Sequence, residues 1–248
     1  MDMKGSIAAI KDAITKSTAE RTSPEVISAA YAVVYLIGGV LLASARLLGA
    51  AGPFGMAAVA ASGAGLNGVA ALIGAAIGYI ISCGLAGSIR YLAAIVLVYT
   101  ICFAFQDTKL ASKSVFAPAT AAVSALSTGI LSSFTSVFTQ APAAAVVLIE
   151  TVFSFGGCWF FREAMSGRER TTESEELRYA GSVLITAAVL LMAVSQIEIF
   201  GAISLGRLVA VLIVMTCTLR CGIMTGCTIG TAFGIAMDLT AGGMPFYT

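Results

Sequence analysis

Charged side chains are missing from three long stretches of this 248-residue chain: between Arg46 and Arg90, between Lys113 and Glu150, and between Arg178 and Glu198. Apolar residues fill these stretches continuously, without the strict alternation of a half-buried strand. A helix needs about 20 apolar residues to cross the hydrocarbon core of a bilayer. Lipid offers no partners to backbone polar groups, so only helices or closed barrels span it. Continuous runs select helices, and the pattern predicts an all-α polytopic transmembrane bundle.

Breakers divide the runs into about nine candidate spans, near 26–48, 53–64, 66–88, 90–106, 115–138, 141–161, 179–197, 203–219 and 221–238. Ser23-Pro24 reads as a cap and first-turn proline for the first of these. Gly52-Pro53-Phe54-Gly55 and then Gly63, Gly65 and Gly68 isolate the second, which is short enough to be either re-entrant or a full crossing.

Residues 1–25 are polar and form an N-terminal tail ahead of a multi-pass region covering 26–248. Ile7, Ile10 and Ile14 recur at helical spacing, so the tail is either a surface amphipathic helix or a solvated segment. Orientation follows from Lys and Arg, which favour the cytoplasmic side of short loops. With a cytoplasmic N-terminus and a crossing second segment, eleven basic residues fall inside, and Arg46, Arg90 and Arg207 fall outside. A re-entrant second segment would erase that bias, so full crossing is the expectation, in a bacterial cell membrane.

Composition adds exclusions. Hydrophobic residues make up 58% of the chain and charged residues 11%, at a mean hydropathy of +0.97, which rules out an ordinary soluble enzyme. The net charge of +1 carries no nucleic-acid signature. With no histidine, Ser-His-Asp triads and metal-histidine sites are unavailable. The four aspartates, Asp2, Asp12, Asp107 and Asp238, are too scattered for a two-metal cage. No catalytic, cofactor or metal residue is therefore assigned. The six cysteines sit in or beside apolar runs, where free thiols pack as small hydrophobes.

Two ridges of small residues at four-residue spacing fit close helix packing in lipid. Ala70, Gly74, Gly78 and Ser82 form one; Gly222, Gly226, Gly230 and Gly234 form a longer one, expected to be a contact face within the bundle or between protomers of a homo-oligomer. Charges inside spans are costly and mark function or a structural pair. Glu150 is the clearest, near the middle of its span, with Arg46 and Arg220 as candidate partners; Asp238 is the next candidate.

Ser44-Ala45-Arg46-Leu47-Leu48-Gly49, followed by Gly52-Pro53-Phe54-Gly55, resembles the start of the membrane region of the stage II sporulation protein E family. Gly226 through Leu239, then Gly242-Gly243-Met244-Pro245-Phe246, is similar to that region's glycine-rich end. The resemblance covers the chain from about residue 27 onward and rests on the order and spacing of its motifs. It implies a roughly ten-span anchor joined to a cytoplasmic PPM-type protein serine phosphatase, which uses divalent manganese or magnesium and activates sigma factor F. It also implies residence at the asymmetric sporulation septum and the cell-division protein FtsZ as a partner. No phosphatase domain lies within these residues, so the chain is expected to be a self-associating anchor without chemistry of its own, either a fragment of a longer protein, which its ending favours, or a truncated product that retains only the anchor. The competing expectation is a small-solute or ion transporter with Glu150 at a midplane site.

Overall fold

A computed structural model describes residues 24–49, 51–134, 144–166, 172–196, 198–199 and 203–240. The expectations for the tail, for 167–171 and for Gly242 through Phe246 lie outside these residues. Among the described residues eight helices follow one another: α1 (Pro24–Ser44), α2 (Pro53–Ser62), α3 (Leu66–Phe105), α4 (Phe116–Phe134), α5 (Ala144–Ala164), α6 (Glu173–Ser195), α7 (Leu205–Cys221) and α8 (Ile223–Thr240). The fold is helical apart from one short antiparallel pair, β1 (Glu198–Ile199) with β2 (Ile203–Ser204).

Four of these helices, α3, α5, α6 and α8, are long and apolar enough to cross a membrane. Against the nine crossings expected from the sequence, four helices meet the length and apolarity of a crossing, and α2 falls short of them. Its ten residues rise only about 15 Å, half of the roughly 30 Å hydrocarbon core, so it cannot cross alone. Pro53 through Ala60 are all buried in protein, which is where irregular or interrupted backbone is tolerated at membrane depth.

The 40 residues of α3 do not form one straight rod. Gly84 has φ 68 and ψ 169, a conformation open to glycine because it lacks a Cβ, and the chain doubles back there. Tyr79 and Tyr91 stack with ring centroids 4.7 Å apart, whereas twelve residues along a straight helix would separate them by about 18 Å. Tyr99 Oη likewise donates to the Ala64 carbonyl at 3.2 Å. The limbs, 66–83 and 85–105, each rise about 27 to 32 Å. Gly222, at φ 92, makes a similar break between α7 and α8.

Contacts between elements fix their directions. Gly74 lies against Leu36 and Gly78 against Val40, so α1 and the first limb of α3 run parallel. Tyr79 meets Gly52 and Gly55 at the start of α2, while Gly68 meets Gly63 just beyond its end, so α2 runs oppositely. Similar contacts relate α4 to α5 through Gly129 and Val147, α6 to α7 through Ser195 and Gly206, and α7 to α8 through Thr218 and Gly226. Successive segments reverse direction throughout. One end of the bundle carries Lys109, Lys113, Arg162, Arg178 and Arg220; the other carries Arg46 and Arg207, and Arg90 lies inside the bundle against Glu150. We call these the lower and upper ends.

The glycine ridges differ in their surroundings. A Cβ at Gly74 would collide with the Leu36 carbonyl, and one at Gly78 with the Val40 carbonyl. Gly39 reciprocates from α1, with its Cβ position 2.6 Å from the Ala71 carbonyl. The ridge from Gly222 to Gly234 is not one intramolecular contact face. Gly226 abuts Thr218, Gly230 has only ordinary van der Waals room beside Val214, and Gly222 and Gly234 face open space. Gly74→Leu should therefore lower the melting temperature in detergent by several degrees or prevent folding. Gly234→Leu should leave it within about a degree, because no described residue fills that space.

Candidate functional site

Glu150 is completely buried, and its partner is Arg90, neither Arg46 nor Arg220. Arg90 Nη2 donates to both carboxylate oxygens at 2.6 Å. Tyr91 Oη donates to Oε1 at 2.7 Å, and the Gly52 backbone N–H donates to the same oxygen at 3.3 Å. Three of these contacts converge on Oε1 and one reaches Oε2. The Arg90 side chain retains 12% exposure and lies over the Tyr91 ring at 4.6 Å.

A second layer holds these groups. Tyr79 Oη donates to the Gly52 carbonyl at 2.5 Å and accepts from the Met56 N–H at 3.2 Å. Its ring stacks on Tyr91 at an interplanar angle of 11°. Gly52 and Gly55 are small because Tyr79 occupies the space their side chains would need: a Cβ at Gly55 would lie 2.6 Å from the Tyr79 ring. Ser154, one turn beyond Glu150 on α5, donates to the Pro53 carbonyl at 3.3 Å. The first turn of α2 is thus tied to α3 and α5 together.

Helix geometry explains why these residues meet. Gly52 is the N-cap of α2, and its N–H at the positive dipole end of that short helix donates to the Glu150 carboxylate, while Pro53 carries no N–H and the Met56 N–H goes to Tyr79 Oη. Tyr79, Tyr91 and Glu150 each stand about 20 Å along their segments from the lower end, a common depth within the hydrocarbon. The Gly84 reversal brings the first two to that level on adjacent limbs, and Arg90 reaches it through its position beside Tyr91.

The remaining candidates lie elsewhere. Arg46 is partly buried at the upper end, with Nη1 donating to the Gly49 carbonyl at 3.3 Å. Arg220 is exposed in the last turn of α7, and Asp238 is partly buried near the end of α8. All six cysteines are free thiols; Cys102 and Cys158 are buried, whereas Cys221 and Cys227 are exposed. Arg178 and Glu163 form a second ion pair at 3.1 Å, exposed at the lower end. Sequence reasoning missed Arg90 as partner because it borders a charge-free run and counts as a loop residue until the chain is known to fold back at Gly84. The adjacent Arg90-Tyr91 pair, a cation and a phenol inside an apolar stretch, was the available signal.

Chemically, the arrangement neutralises a carboxylate in a low-dielectric interior with a guanidinium, a phenol and a helix N-terminus. Near it, α2, α5, α6 and α8 border an open groove of about 350 Å³ whose lining residues are all apolar, Phe54, Phe153, Val189 and Leu239 among them. No family model, curated protein or solved structure matches the chain.

Removing one member of a buried pair leaves an uncompensated charge, worth about 3 to 5 kcal/mol. Arg90→Met and Glu150→Met should each destabilise the protein by about that amount, and the double substitution should cost clearly less than their sum. Unfolding free energies of the two single variants and the double variant in mixed micelles check this.

Proposed function

We propose that this chain is a membrane-anchoring and self-associating helical region, and that the Arg90–Glu150 cluster is a structural latch holding the half-length helix α2 inside the bundle. One observation carries the reading: the fully buried Glu150 carboxylate is held by Arg90, Tyr91 and the Gly52 N–H, and the groove nearby is lined by apolar residues. A transport site needs a polar path through the bundle. Half-helix ends in transporters face a bound ion or anionic substrate, whereas the end of α2 faces the protein's own carboxylate.

The resemblance to the stage II sporulation protein E family gives this anchor a specific setting. On that reading, it holds a PPM-type serine phosphatase, dependent on manganese or magnesium and carried by a part of the protein outside these residues, at the asymmetric septum, where it activates sigma factor F and meets FtsZ. The excess of Lys and Arg at the lower end supports placing that end in the cytoplasm. For self-association, the outward part of the second ridge is the best-suited surface: Gly234 is exposed with open space beside it, and Cys227, two turns earlier on the same face of α8, is also exposed.

Mild oxidation of native membranes should therefore link two chains through Cys227. The dimer band should vanish in Cys227→Ser and in Gly234→Leu, while the latter retains its monomer stability. Vesicles containing wild-type or Glu150→Gln protein should both lack proton-coupled flux. Flux that depends on Glu150 would sink the anchor reading in favour of a transporter, and a band that survives both α8 changes would move the self-association surface elsewhere.

A further inference from the structure

The connection from α1 to α2 contains a tight, hydrogen-bonded turn. Leu47 and Ala51 pair across it, with the Leu47 N–H donating to the Ala51 carbonyl at 2.8 Å and the Ala51 N–H donating to the Leu47 carbonyl at 2.9 Å. Both residues are buried. Gly49 has φ 69, which glycine adopts freely, but Leu48 has φ 53, a left-handed conformation that a side chain disfavours. Among the described residues no other non-glycine has a positive φ. Such backbone persists where the surrounding structure holds it in place.

Contacts hold this turn on both sides. On one side the Leu48 N–H donates to the Leu239 carbonyl at 2.7 Å. Leu239 lies in the last turn of α8, where carbonyls lack a partner within the helix. Thr240 Oγ1 serves the Met237 carbonyl there, and Leu48 serves the next one but one. On the other side Ala51 runs directly into Gly52, whose N–H donates to Glu150 Oε1 and whose carbonyl accepts from Tyr79 Oη. From the end of α8 to the buried carboxylate the path is one hydrogen bond, the doubly bonded Leu47–Ala51 pair and one further hydrogen bond. Every link is backbone until the carboxylate itself, so no side-chain torsion absorbs a displacement along it.

We propose that this turn is a strut coupling the C-terminal end of α8 to the Glu150 cluster, so that the head of α2 and the last turn of α8 loosen together. The inference rests on the cluster acting as the latch of α2 and places a second helix end under the same control. Coupling of this kind is reciprocal: a displacement of α8 at Thr240 reaches the ion pair, and loss of the ion pair frees the end of α8.

Hydrogen exchange of the full chain in mixed micelles, read by mass spectrometry, tests the strut. Gly49→Val puts a β-branched side chain at an exposed position whose backbone is left-handed, whereas Gly49→Asn suits that backbone. Gly49→Val should speed exchange about tenfold in both the last turn of α8 and the first turn of α2, and Gly49→Asn should leave both within about twofold of wild type. Glu150→Met should also speed both. Gly74→Ala, which strains the contact between α1 and α3 instead, should not single out these two places.

Faster exchange at only one of the two places in Gly49→Val, or at neither, would overturn the strut. The same selective loosening in Gly74→Ala would mean general destabilisation and would overturn it as well. Glu150→Met that loosens α2 but leaves the end of α8 at the wild-type rate would overturn the coupling and keep the latch; if it loosens neither, both fail.

Discussion

Neutralising one buried carboxylate constrains much of this bundle. Glu150 lies on a helix whose neighbours are Val, Leu and Phe, at a depth where an unpaired charge is severely destabilising. Its neutralisation requires Arg90 from the second limb of α3, Tyr91 beside it, and the backbone of Gly52 at the head of α2. Each requirement fixes an element. The α3 limbs must be folded at Gly84 for Tyr91 to stack on Tyr79, and α2 must begin at this depth for its N-terminus to meet the carboxylate. A buried ion pair contributes modest net stability compared with an apolar replacement of equal volume; its larger effect here is to specify which segments are neighbours.

Around that cluster, close approach of backbones does the remaining work. Between α1 and the first limb of α3, Gly39, Gly74 and Gly78 leave no room for a methyl group. Helix association in lipid relies on van der Waals contact, since tails are as apolar as side chains and supply no hydrophobic drive. The second ridge, on α8, spends only Gly226 on such a contact and leaves Gly234 facing outward. A repeated small-residue spacing thus serves two ends: internal packing where a partner helix lies alongside, and an open surface where none does.

The chemistry of the interior bears on function in a consistent way. A carboxylate buried against the chain's own donors and an open apolar groove suit the proposed anchoring role. The buried hydroxyls of Ser88, Thr120, Ser132 and Ser182 each donate to a carbonyl three or four residues earlier on their own helix, whereas Ser154 donates across to Pro53 and the buried Ser124 hydroxyl has no partner among the described residues. Charge is concentrated at the ends, with the ion pair of Arg178 and Glu163 joining α5 and α6 at the lower one.

Membrane character, helical class and most segment boundaries were legible in the sequence, because continuous apolar runs and glycine or proline breaks act locally. Pro24, Pro53 and the break near residue 222 are examples. Glu150 stood out for the same reason, as a charge surrounded by apolar neighbours. Its partner did not, because Arg90 is 60 residues away and pairs with it only after the chain reverses at Gly84. Nor could spacing say that α2 remains half-length and buried, or which glycines meet a neighbour, since both depend on what stands beside them. Local solvent preference, set residue by residue, fixed the elements; the pairing of a charge with its counter-charge across the bundle is a property of distance in space, and only the tertiary fold decided it.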